Sequence, residues 1–211
     1  MTVEAKICGL STAETVEAAV RFGARFVGFV TFPKSPRYIS GETMRTLGGL
    51  VPKTVTRVGL FVDPDDALLD ERLAAGVLDL LQLHGRETPE RVAAIRQRTG
   101  KPVMKAINVG AARDVEQGIA AYAGVVDCLM FDAAAGTLPG GNAEAFDWTF
   151  LSDRTVPVRW LLAGGLTPGN VAEAVRVTGA PIVDVSSGVE ESRGVKSPAL
   201  IRAFLDRVKA L

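Results

Sequence analysis

Eight short apolar runs alternate with amphipathic stretches along the whole chain, and this rhythm restricts the fold more than any other feature. The runs are "VEAKIC", "FVGFV", "TRVGLFV", "LLQLHG", "PVMKAIN", "VVDCLMFD", "VRWLLAGG" and "IVDVSSG". Strand–helix alternation implies a parallel sheet with helices outside it. Most runs are followed by helix start signals. "STAETVEAAVRFG" opens on Ser11 as cap with Glu14 three residues on, and closes on Gly23. "TPERVAAIRQRTG", "TPGNVAEAVRVTG" and "SPALIRAFLDRVKAL" place Thr or Ser before a proline at the first helical position. Helices near 42–50 and 146–152 are expected to be short. Eight such units in 211 residues predict a single-domain (β/α)8 TIM barrel in compact form over 1–211. An open, doubly wound sheet is the alternative. No linker or shift in composition divides the chain.

A barrel carries its active site at the C-terminal ends of its strands. Those ends here are Cys8, the "FPKSPRY" loop, His84, Asp132, "AGGL" and "SSG". Strand alternation refines this. Lys6 shares a face with Cys8, Gln82 with His84, Asp184 with Ser186, and Cys128 and Met130 with Asp132. A polar layer of Lys6, Gln82, Asp184 and Lys105 is therefore expected inside the barrel. Buried charges need partners, and Asp184 is the first candidate to pair with Lys6.

Two glycine-bearing turns end the last two strands. Gly164 and Gly165 allow close backbone approach to an anion, and Ser186, Ser187 and Gly188 supply N–H and hydroxyl donors. Loops at these positions of a barrel commonly bind phosphate. The nucleotide fingerprints G-x-x-x-x-G-K-[ST] and G-x-G-x-x-G are absent, so the expected ligand is a phosphorylated small molecule rather than a nucleotide. Pro33 and Pro36 stiffen the loop that carries Arg37, whose guanidinium suits a carboxylate. The loop after Asp132, "AAAGTLPGGNAEAF", is long enough to act as a lid or merely to connect.

Composition removes other classes. Lys plus Arg equals Asp plus Glu at 24 each, which gives no basic field for nucleic acid. No apolar stretch approaches the ~18 residues of a membrane span, and Glu4 and Lys6 interrupt any signal-peptide core. With two cysteines and one histidine, neither a disulfide framework nor a structural metal site is expected. The reading is cytoplasmic, with reduced thiols.

Taken together and in order, "KICGL", "PKSPRYIS", "QLHG", "FDA" before "LPGGN", "LAGGLTPGNV" and "VDVSSGVE…G-V-K" resemble the phosphoribosylanthranilate isomerases of tryptophan biosynthesis. The resemblance spans nearly the whole chain. It implies an Amadori rearrangement of N-(5′-phosphoribosyl)anthranilate to 1-(2-carboxyphenylamino)-1-deoxyribulose 5-phosphate, the third step of tryptophan synthesis from chorismate, without cofactor or metal. It implies Asp132 as general acid, Cys8 as general base and Arg37 on the anthranilate carboxylate. His84 and Asp184 match further substrate-binding positions, and the "AGG" and "SSG" loops match the phosphate grip. The related isomerase of histidine biosynthesis has aspartate, not cysteine, at the end of strand one, so Cys8 argues against it. A non-catalytic barrel is the remaining rival, and the intact Cys8, Asp132 and Arg37 argue against that. The expected assembly is a monomer or homodimer. A free thiol has a pKa of ~8.5, so a base at Cys8 is expected to need its pKa lowered, with Lys6 as the nearby cation. Three departures stand out: "DAAAG" lacks the lysine the family often has, Ala143 replaces a lid glycine, and Thr31 replaces an aromatic or aliphatic residue.

Overall fold

Alternating apolar residues and well-placed caps give eight parallel strands closed into a barrel, in sequence order β1 to β8. The computed structural model describes residues 2–133 and 145–211. The strands are β1 (Glu4–Cys8), β2 (Phe26–Val30), β3 (Thr56–Phe61), β4 (Leu80–Leu83), β5 (Val103–Val109), β6 (Cys128–Ala133), β7 (Arg159–Leu162) and β8 (Ile182–Val185). The helices are α1 (Ala13–Arg21), α2 (Gly41–Gly49), α3 (Asp66–Leu73), α4 (Pro89–Thr99), α5 (Ala112–Tyr122), α6 (Val171–Thr178) and α7 (Pro198–Lys209). A small ribbon, β9 (Glu190–Ser192) with β10 (Val195–Lys196), follows β8. The expected short segment near 146–152 is a single 3₁₀ turn, Trp148–Leu151. The loop after Asp132, expected as a lid or a connection and carrying Ala143, lies almost wholly outside the described residues. No helix among the described residues is long and apolar enough to cross a membrane.

Period-two alternation divides the core in two. Phe26, Val58, Leu80, Met104, Cys128, Met130, Leu161 and Ile182 fill the barrel interior. Leu129, Phe131, Val27, Phe29, Leu81 and Val183 face the helices. Cys128 is thus a core thiol, as its place in β6 implied.

Two caps differ from expectation. Helix α1 is capped by Thr12, whose side chain accepts from Thr15 N, rather than by Ser11. The "TPGN" segment does not begin α6. Asn170 Oδ1 accepts from Thr167 N at 2.7 Å and its Nδ2 donates to Gly165 O at 2.9 Å. That closes a turn, and the helix starts only at Val171. A side chain spent on its own turn competes with helix formation. At α4, in contrast, Thr88 caps, Pro89 leads and Gly100 closes in the left-handed region, as the sequence signals predicted.

Lys6 pairs with Asp184 inside the barrel at 2.8 Å, across the β1–β8 register. Lys105 does not join it. Its position in β5 points outward, towards the helices, and its ammonium donates to Glu87 Oε2 at 2.9 Å and to Gly85 O at 2.8 Å. Both partners of this pair are almost wholly buried. Glu87 also accepts from Asp63 N and Gly85 N, so the pair ties the loop after β4 to the loop after β3. Removing one member of a buried pair strands the other, at ~3–5 kcal/mol. Lys105→Met is expected to lower unfolding stability by about that much. A urea titration within ~1 kcal/mol of the native protein would contradict the role assigned to the pair.

Candidate active site

The C-terminal ends of the strands converge on one cavity. It is lined by Cys8, Val30, Phe32, Ser35, Arg37, Leu60, Val62, Gln82, His84, Asp132, Asp184 and Ser186. Six of the expected site residues therefore meet: Cys8, Arg37, His84, Asp132, Asp184 and Ser186. Gly164, Gly165, Ser187 and Gly188 do not line this cavity but sit on the same rim. Gly164 and Gly165 both have positive φ, and Gly188 packs directly on the Leu166 carbonyl, joining the loops after β7 and β8.

Cys8 ends β1 with only 4% of its surface exposed, so it meets the cavity rather than open solvent. Its paired residue in β2 is Gly28. A Cβ at Gly28 would lie 3.0 Å from Cys8 Sγ and 3.2 Å from Lys6 Nζ, so the thiol and ammonium share the room this glycine leaves. Burial works against the Lys6 charge, but Asp184 and the neighbouring thiol outweigh it and hold the ammonium protonated. The expected lowering of the Cys8 pKa is not what the site provides. Burial pushes the thiol above its ordinary range, with Lys6 opposing it only in part. Desolvation of a would-be thiolate exceeds the attraction of one cation that is already paired.

Asp132 is held at one carboxylate oxygen and approached at the other. Ala133 N donates to Oδ1 at 2.9 Å, and His84 Nε2 lies 3.2 Å from Oδ2. That second contact is close but not aligned as a hydrogen bond, since Nε2 is buried without an oriented partner. Catalytic contacts are often loose until substrate binds. Strands β1 and β6 stand three places apart around the closed barrel, so Cys8 and Asp132 occupy different walls of one cavity.

Arg37 is buried, and its fork is already engaged. Its Nε and Nη2 donate to Glu190 Oε1 and Oε2 at 2.6 and 2.9 Å. A guanidinium has five N–H donors, so the edge bearing Nη1 remains for a ligand. Gly9 makes this packing possible: its φ is +80°, and a Cβ there would lie 2.7 Å from Arg37 Cδ. Glu190 also accepts from Lys196 Nζ and from Gly194 N. These partners outweigh its burial and hold its carboxyl down at about 2. Lys196 further donates to Ser186 O at 2.9 Å, and Ser186 Oγ donates to Cys8 O at 3.2 Å. One network thus runs from the end of β1 to Arg37.

Glu190 and Lys196 were not expected as site residues, although both lie in the "VDVSSGVE…G-V-K" motif. Their meeting depends on the β9–β10 ribbon, whose bend at Gly194 packs against Pro36. Thr31 turns its hydroxyl to Leu60 O at 2.7 Å and is fully buried, so that departure leaves no unsatisfied group. The cavity is polar at Asp132, His84 and Asp184 and apolar at Val30, Phe32, Leu60 and Val62. It can hold a flat apolar group beside Arg37 and a polar one between Cys8 and Asp132. Among the described residues no cluster of His, Cys, Asp or Glu fits a metal ion.

The chain matches a family model described as N-(5′phosphoribosyl)anthranilate (PRA) isomerase over residues 5–207. A relative from Paracoccus denitrificans, named N-(5′-phosphoribosyl)anthranilate isomerase, is 54% identical over 213 residues, covering 100% of this chain and 99% of its own. The crystal structure of phosphoribosyl anthranilate isomerase from Thermotoga maritima is similar with a TM-score of 0.89 and 36% identity, with both chains covered completely. A phosphoribosyl anthranilate isomerase solved in complex with reduced 1-(o-carboxyphenylamino)-1-deoxyribulose 5-phosphate is similar with a TM-score of 0.84 and 35% identity, again over 100% of both chains.

Proposed function

The chain belongs to the N-(5′-phosphoribosyl)anthranilate isomerase family, and from that premise we propose how its own residues divide the reaction. It converts N-(5′-phosphoribosyl)anthranilate to 1-(2-carboxyphenylamino)-1-deoxyribulose 5-phosphate, a step of tryptophan synthesis. Asp132 in its acid form gives a proton to the ribose ring oxygen. The C1′–O bond breaks as the anthranilate nitrogen lone pair forms a C1′=N bond, and the ring opens to a protonated Schiff base. Cys8 as thiolate removes the C2′ proton. The released electron pair forms a C1′=C2′ bond and neutralises the nitrogen. The enolamine then gains a proton at C1′ through its C1′=C2′ electron pair while its C2′ hydroxyl gives one up to form C2′=O, which yields the ketose. One acid and one base on different sides of the sugar are what this sequence of transfers needs.

The observation that carries the assignment is the placement of Cys8 and Asp132 on different walls of one cavity. A raised thiol pKa leaves few thiolates in the free enzyme, but each is a stronger base towards carbon. The charged Lys6 beside it offsets the thiolate charge as it forms. The anthranilate ring lies on Val30, Phe32, Leu60 and Val62, with its carboxylate on the free edge of Arg37. The phosphate lies at the other end, against the N–H groups of Gly164, Gly165, Ser187 and Gly188, with Ser186 between the two. His84 and Asp184 face the ribose.

Arg37 tests this orientation. A hydrogen bond to a charged group contributes ~1.5–3 kcal/mol, so Arg37→Met is expected to raise KM for the natural substrate about 10- to 100-fold. Lys196 still pairs with Glu190 in that variant. An analogue whose ring lacks the carboxylate should be affected far less. Equal losses with both compounds would show that Arg37 does not read the carboxylate.

A further inference from the structure

Gln82 has no part in the proton transfers above, yet it is fully buried in β4 against the site. Its Nε2 lies 3.0 Å from His84 Nδ1 and 3.4 Å from Met130 Sδ. The reverse amide orientation would press Oε1 against the thioether lone pairs, so the NH2 end belongs on this side. An NH2 group aimed at Nδ1 requires a lone pair there. A neutral imidazole then carries its single proton on Nε2. A doubly protonated ring would set donor against donor at Nδ1. Nε2 lies 3.2 Å from Asp132 Oδ2, within reach but not yet in line for a hydrogen bond.

We propose that Gln82 is a positioning residue that selects the Nε2–H tautomer of His84 and so aims a donor at Asp132. The inference rests on the reading of Asp132 as the acid. When Asp132 gives up its proton, the carboxylate that appears is met at Oδ1 by Ala133 N–H and, once the ring turns into line across 3.2 Å, at Oδ2 by His84 Nε2–H. A donor placed where charge develops lowers the barrier more than it strengthens ground-state binding.

His84 is the only histidine in the chain. Protein labelled with ¹⁵N-histidine therefore gives one set of imidazole signals, and a pH titration identifies the neutral form. The expected spectrum has Nδ1 bare and Nε2 protonated. A proton on Nδ1 in the neutral form overturns the proposal and leaves the acid role of Asp132 to be judged by its own variant. Gln82→Met keeps a similar volume without the NH2 group. The expected result is a detectable Nδ1–H population, kcat about tenfold lower, as for loss of one hydrogen bond worth ~1.4 kcal/mol, and KM within about twofold of native. An unchanged tautomer or an unchanged kcat in the folded variant overturns the positioning role. If Gln82→Met does not fold, the native spectrum still decides.

Discussion

Asp132→Asn lowers kcat by roughly 10²–10⁴-fold, the range expected when a positioned acid is removed, while substrate affinity changes little. The substitution is isosteric, and Ala133 N–H still finds an acceptor where it now bonds Oδ1. The carboxamide lacks the acidic proton that must reach the ribose ring oxygen. It also cannot become the carboxylate that His84 Nε2, 3.2 Å from Oδ2, is placed to meet. The loss therefore falls on the transition state and appears in kcat and kcat/KM alike. Steady-state rates with phosphoribosylanthranilate measure it. Activity within threefold of the native enzyme would remove Asp132 from the mechanism.

The barrel was legible because its signals are local and repeated. The strands show period-two alternation, and most long helices have a cap or a leading proline, α5 after Ala111 being the exception. The rim position of Cys8, His84 and Asp132 followed from that register alone, and so did the Lys6–Asp184 pair, since β1 and β8 are neighbours only if the barrel closes. Lys105 shows the limit of this reasoning. It was placed inside by its charge and its strand, but the strand turns it towards Glu87, a residue of a loop whose path no periodicity describes. Glu190 and Lys196 were hidden for the same reason. They reach Arg37 through a three-residue strand and a turn at Gly194, elements too short to leave a pattern. The pKa of Cys8 was a different failure. Its sign is a contest between burial and one neighbouring charge, and the sequence names the charge without measuring the burial.

That contest sets the second large effect, which the protein's two cysteines test against each other. Both are buried, at 4% exposure for Cys8 and 5% for Cys128, so exposure does not separate them. Their surroundings do. Cys8 lines the cavity beside the Lys6 ammonium, whereas Cys128 sits among Phe26, Met104 and Met130 in the barrel interior. Burial, opposed mainly by Arg159, pushes the Cys128 thiol up to about 12. At pH 8 its thiolate fraction is then on the order of one in ten thousand. Cys8 borders the cavity while Cys128 is enclosed by side chains, so a small neutral alkylating agent should reach and modify Cys8 first. Because burial also raises the Cys8 thiol, its alkylation rate should keep climbing with pH beyond the ~8.5 of a free thiol rather than level off there. A phosphorylated product analogue should slow the reaction by filling the cavity. Cys128 should react only on unfolding. Cys8→Ala removes the base that takes the C2′ proton, and turnover should fall by at least ~10²–10⁴-fold with little change in stability. Cys128→Ala leaves a small cavity, costs about 1 kcal/mol and keeps turnover near native. Mass mapping of alkylated peptides alongside residual activity reads both cysteines in one experiment. Modification of Cys128 before Cys8, or an active Cys8→Ala enzyme, would mean that the proton at C2′ is taken by another group.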